Sequence, residues 1–263
     1  MEQNKMPQLK AFDVAIVALC AALYAVVGYL TSFNLNFGGV AFWPAAFVPA
    51  IFAVLFGPWK GGLGAALGIF IRDVIVIGQP LLSLTAGVTS NFVMFFVIGY
   101  FAHTKLSQKK ISLSLIVGAI VILTGILLPT LFLPTESLVY TQFLSTESIV
   151  TIFGAIMIVT LILFAVIAKY WKEFRSFGVG AIIGQATGAM IVAIGVWAYS
   201  QLFYSANGYF TAPLSAAFAS LIFIWTFATE IPFVLLISPP VVKACYAAFP
   251  FLKQRQLTIE KAK

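Results

Sequence analysis

The chain has 263 residues, of which 62% are hydrophobic and only 9% charged. A soluble domain is about half apolar and about a quarter charged, so a core of this size cannot hide the surplus and lipid must solvate much of it. The net charge of +7 does not mark a nucleic-acid partner, because the basic residues bracket apolar runs and membrane topology explains them by itself.

A spanning helix needs about twenty mostly apolar residues. Eight such runs are expected, over roughly 12–31, 40–57, 61–78, 82–102, 113–133, 149–168, 179–202 and 213–240. The predicted fold is an all-α polytopic membrane bundle. Lys5 and Lys10 precede the first run, which is too long for a signal-peptide core and is expected to stay as a helix. The second run carries Pro44 and Pro49, and the third starts right after Gly57-Pro58-Trp59-Lys60. These two are expected to form a tight hairpin, or one of them to be tilted or broken.

All Lys and Arg residues except Arg72 fall in alternate gaps. They are Lys5 and Lys10; Lys60; Lys105, Lys109 and Lys110; Lys169, Lys172 and Arg175; and Lys243, Lys253, Arg255, Lys261 and Lys263. The other gaps hold none, and 134–148 carries Glu136 and Glu147 instead. Cations resist translocation, so both termini are expected in the cytoplasm of a plasma-membrane protein.

The first run places Ala15, Ala18, Ala22 and Ala25 at steps of three and four, a smooth face for docking a partner or another helix of the same chain. Gly64 and Gly68 on the third run, and Gly180, Gly184 and Gly188 on the seventh, read as close helix crossings. Arg72 and Asp73 lie inside the third run. Charges there usually face a cavity or each other. Neighbours on a helix point about 100° apart, so these two are not expected to lie face to face. Arg72 is expected instead to reach the interface, pair with another helix or meet a ligand.

The outer half of the fourth run holds Ser83, Thr85, Thr89, Ser90 and Asn91. Trp197 and Gln201 share a face of the seventh, with Tyr199 pointing roughly the other way, and Trp43 stands near the outer end of the second. Trp43, Arg72, Asp73, Asn91, Trp197 and Gln201 are the residues expected around an outward-facing small-molecule pocket. There Arg72 would clamp a carboxylate or phosphate, with Asp73 orienting it. Glu230 and Pro232 in the last run read as a hinge, set too deep for an external pocket.

Cys20 and Cys245 read as packing residues, not a disulfide framework. There is no His/Cys/carboxylate cluster with metal-ligand spacing and no phosphate-binding loop, so neither metal nor cofactor is expected.

Three longer stretches carry a resemblance. Gly38-Gly39-Val40-Ala41-Phe42-Trp43-Pro44 is followed by Leu55-Phe56-Gly57-Pro58-Trp59-Lys60 and the Gly-rich helix to Asp73. The chain ends with Glu230-Ile231-Pro232 through Ser238-Pro239-Pro240. Together with the alanine face, these resemble the substrate-binding S component of energy-coupling factor (ECF) transporters. The resemblance implies a six-helix core over 11–104 and 179–245, with 111–170 as an inserted helical hairpin. It also implies capture of a vitamin or other micronutrient, a transmembrane coupling subunit docked through the alanines, two ATPase subunits, and a bundle that topples to release its substrate. No enzymatic activity is implied. Two alternatives stay open: a stand-alone proton-coupled transporter using Asp73 or Glu230, and an intramembrane enzyme or assembly protein.

Overall fold

The structure is a computed structural model that describes residues 11–33, 36–37, 40–104, 106–114, 116–118, 120, 123, 146–206 and 208–252. Lys5, Lys10, Gly38, Gly39, Lys105, most of the fifth expected run, Glu136 and the last four basic residues lie outside them.

Seven helices carry the described chain: α1 (Ala11–Thr31), α2 (Phe47–Phe56), α3 (Pro58–Val76), α4 (Pro80–Ala102), α5 (Thr146–Tyr170), α6 (Arg175–Leu202) and α7 (Ala216–Ala248). Residues 108–114 are also helical. The spans of α1, α4, α5, α6 and α7 are long and apolar enough to cross a bilayer. Backbone groups in hydrocarbon have no water to bond, so a helical bundle is the structure such a composition permits.

Several expected boundaries shift. The second run does not begin as a helix. Asn36–Phe37 pairs antiparallel with Val40–Ala41, and a 3₁₀ turn over Pro44–Ala46 follows before α2 starts. Pro44 cannot donate to a preceding turn, so it opens the helical segment instead of extending it. Gly57, at φ 103°, makes the turn into α3, with Pro58 at the first helical position. At that turn Lys60 donates to the Phe56 carbonyl and pairs with Asp13 at 3.2 Å, tying the base of α1 to the hairpin. The last helix runs on through Pro232, Pro239 and Pro240 to Ala248.

Close crossings hold the bundle together. A Cβ on Gly64 would lie 2.6 Å from Cys20 Cβ, and one on Gly68 would lie 2.7 Å from the Ala21 carbonyl oxygen, so α1 rests on bare backbone of α3. Gly184 stands in the same relation to the Met94 carbonyl oxygen at 2.7 Å, and Gly180 and Gly188 to Phe101 and Met94, which brings α6 onto α4. Lipid gives helices no hydrophobic reason to associate, so this proximity supplies the packing attraction. The contacts α1–α3, α3–α4, α4–α6, α6–α7, α7–α2 and α2–α3 build one bundle, with α5 set chiefly against α7.

The alanine face divides. Ala15, Ala18 and Ala22 are exposed, whereas Ala25 is buried with Ala21 and Tyr24. Ala18 and Ala25 stand only about 20° apart round the helix, so the division runs along α1, with Ala25 at the level of buried Tyr24 and Gly28.

Gly184→Ala is expected to destabilise the bundle by about 1–3 kcal/mol through overpacking. Gly154→Ala, where a Cβ meets nothing within 4 Å, should be neutral or slightly stabilising. Thermal midpoints of the two variants in micelles check this, and equal midpoints would contradict the crossing.

Candidate functional site

The end of the bundle away from the α2–α3 turn is built from the 40–43 segment, the end of α3, the start of α4, the second half of α6 and the first half of α7. A cleft opens there, and its roughly 590 Å³ of empty space includes open solvent at the mouth.

Four of the six expected residues meet in it: Trp43, Arg72, Asp73 and Asn91. Arg72 and Asp73 do pair with each other, against the expectation from their adjacent positions. Arg72 Nη1 donates to Asp73 Oδ1 at 2.9 Å, because the long arginine side chain curls back over the turn that a rigid 100° argument treats as a barrier. The guanidinium also lies 4.9 Å over the Trp43 ring. Ser83 Oγ donates to Asp73 Oδ2 at 2.8 Å.

Local backbone makes that second contact available. Ser83–Val88 forms a π-helical stretch between the two α-helical parts of α4. Such stretches re-aim side chains and occur often at functional sites. Here the wider turn brings Ser83, Ala86 and Gly87 to the cleft wall. A Cβ on Gly87 would fall 3.0 Å from Asp73 Oδ2, so a bare backbone is needed beside the carboxylate.

Trp43 is fixed from behind. Its ring fills the space where a Cβ on Gly28 would sit, and Tyr24 meets it edge-on with centroids 5.5 Å apart. Tyr24 donates to Asn91 Oδ1 at 2.6 Å, and Asn91 Nδ2 donates to the Gly87 carbonyl at 2.9 Å. Above them, Trp225 Nε1 holds the Val40 carbonyl at 3.0 Å. Arg72 Nε is buried on this wall without a hydrogen-bond partner, and Trp43 Nε1 is enclosed beside Tyr24 with no partner at full hydrogen-bond geometry.

Trp197 and Gln201 do not line the cleft. Val192 and Val196, on another face of α6, take that place. Gln201 instead clasps the outer loop, donating to the Leu214 carbonyl at 2.8 Å, while Ser200 Oγ accepts from the Leu214 N–H at 3.0 Å. Tyr199 packs on Phe203 and Phe210. In that loop Tyr209, 42% exposed overall, has its phenolic pKa pushed up by burial around the hydroxyl and then by the Asp73 carboxylate.

The sequence reading excluded Glu230 from the pocket by depth, yet the cleft reaches it. Its Oε2 accepts from Gln185 Nε2 at 2.7 Å. Thr226, one turn earlier, and Gln79 also line the cleft. The pairing of a buried acid with a buried amide was the signal available in the sequence, and its partner Gln185 lies a whole helix away.

The model of the family described as "ECF-type riboflavin transporter, S component" matches residues 8–170. The chain belongs to this family. It is the substrate-binding membrane subunit of an ECF transporter, a multi-pass protein that associates with the ECF transmembrane and ATPase modules and takes a small-molecule substrate. No curated protein and no solved structure matches the chain. The matched stretch carries Trp43, Arg72, Asp73 and Asn91 and runs through 111–170. The wall of the S component's cleft formed by α6 and α7 lies beyond it.

Gly28→Ala is expected to expel the Trp43 ring from its seat. In a background with the other four tryptophans changed to Phe, acrylamide quenching of Trp43 should rise severalfold. Unchanged quenching would show that α1 does not hold this ring.

Proposed function

We propose that this S component captures a vitamin or other micronutrient from the outer side of the plasma membrane, with a flavin of the riboflavin class the first compound to test. The observation that carries the reading is the cleft itself, where the Trp43 ring and the Arg72–Asp73 pair stand together on one wall. A planar heterocycle has the acceptors and the face to use that wall. The riboflavin in the family's description supports the flavin as first probe.

The pocket residues in this reading are Trp43, Arg72, Asp73 and Asn91, joined by Ser83, Thr226 and Glu230. The orientation rests on charge. Lys60, Lys109, Lys110, Lys169, Lys172, Arg175 and Lys243 belong to the end away from the cleft, which the positive-inside rule assigns to the cytoplasm along with both termini. In the same reading α1–α4, α6 and α7 form the six-helix core, and 111–170 is a hairpin added at its edge. The placement of α5 chiefly against α7 supports that division. The exposed Ala15, Ala18 and Ala22 offer close backbone approach to a coupling subunit working with two ATPase subunits.

Purified protein in nanodiscs should quench riboflavin fluorescence on binding. Trp43→Ala should weaken that binding about thirtyfold, the effect of losing a central aromatic anchor worth ~2 kcal/mol. No binding of riboflavin or of other vitamins would reject the capture role.

Ala18→Trp with Ala22→Trp should leave binding within about twofold of the parent and abolish ATP-driven uptake in proteoliposomes containing the ECF modules. Loss of binding and uptake together would argue against docking through this face.

A further inference from the structure

We infer that Asp73 sets the charge selectivity of the cleft, so that it takes an uncharged ligand and discriminates against the phosphorylated or carboxylated form of the same compound. This rests on the reading of the cleft as the substrate pocket.

Three ionised or ionisable groups line it through aspartate, glutamate and arginine side chains: Arg72, Asp73 and Glu230. Arg72 is the one cation among the lining residues, and its charge is already matched by Asp73 at 2.9 Å. Asp73 cannot readily swing away to release it. Ser83 holds the second carboxylate oxygen at 2.8 Å while Arg72 holds the first. Both members of the pair are more than nine-tenths buried.

An anion arriving at Arg72 therefore meets a neutral pair, with a second acid across the cleft and no second cation to share its charge. Burying a charge without such a partner is unfavourable. The remaining polar groups on the lining, among them Gln79, Ser83, Asn91 and Thr226, are uncharged and suit a neutral polar edge. The clamp on a carboxylate or phosphate expected from the sequence is thus replaced by selection for a neutral polar edge, and Asp73 is the residue that makes the difference.

The test uses the full chain in nanodiscs, titrated with riboflavin against riboflavin 5′-phosphate and with pyridoxine against pyridoxine 5′-phosphate. The parent is expected to bind the unphosphorylated member of a pair at least tenfold more tightly. Asp73→Asn, which keeps the size of the side chain and leaves Arg72 uncompensated, should cut that preference at least tenfold. Adding Arg72→Gln to Asp73→Asn should restore it. If Asp73→Asn does not fold, Ser83→Ala, which unclamps the carboxylate, should reduce the preference severalfold.

A preference unchanged in Asp73→Asn, or in Ser83→Ala where that variant stands in, would overturn the inference while leaving substrate capture intact. So would tighter binding of the phosphorylated member by the parent. Failure of every probe to bind the parent would overturn the pocket reading itself, and the inference with it.

Discussion

A guanidinium and a carboxylate on adjacent residues near the end of α3 neutralise each other, and much of the cleft end of the bundle is arranged to let them. Removing one partner of a buried pair costs about 3–5 kcal/mol, since the survivor is left uncompensated. The pair is held by groups from three other places in the chain: the Trp43 face under Arg72, the Ser83 hydroxyl on Asp73, and the bare Gly87 backbone beside it. The π-helical stretch in α4 belongs to this arrangement. It departs from regular helix at the turn where Ser83 and Gly87 must both reach the same carboxylate.

Helix α1 links the two ends of the protein's task. Its inner face sets Tyr24 against Trp43 and hydrogen-bonds Asn91, and Gly28 provides the seat of the Trp43 ring. Its outer face exposes Ala15, Ala18 and Ala22. Cys20 and Ala21 lie against Gly64 and Gly68 of α3, the helix that carries Arg72 and Asp73. Contacts this close leave α1 little freedom to slide alone, because packed interiors transmit displacement more readily than they absorb it. A tilt of α1 against the rest of the bundle must disturb Trp43, and a tilt of the whole bundle carries the cleft with it.

The helices were legible because apolar length is a strong signal, and the glycine crossings because small residues at steps of four have one common use in lipid. What escaped was local or three-dimensional. Pro44 turned the front of the second run into a strand pair and a 3₁₀ turn, an outcome hydropathy does not register. The face shared by Trp197 and Gln201 was the wrong face of that helix, since the cleft uses Val192 and Val196, about 100–180° round from it, and the clasp at Gln201 serves the loop. Glu230 was placed by counting along α7 alone, and Arg72 by the direction of its Cβ rather than by its reach. Each error came from reading one helix without its neighbours and treating its side chains as rigid.

The boundary of the family match sharpens what its description carries. Residues 8–170 hold the aromatic and ion-paired wall. Val192, Val196, Thr226 and Glu230 face that wall from α6 and α7, beyond the match. A ligand is selected by both walls at once, because the donors on one side fix where its acceptors lie and the shape of the other fixes what else fits. The far wall is apolar along α6 and polar along α7, where Thr226 and Glu230 stand one helical turn apart. A compound that fills the cleft meets an apolar flank at the valines and a polar one at Thr226 and Glu230. Of the two the polar flank discriminates more, since an apolar surface separates ligands weakly and an unmet buried polar group separates them strongly.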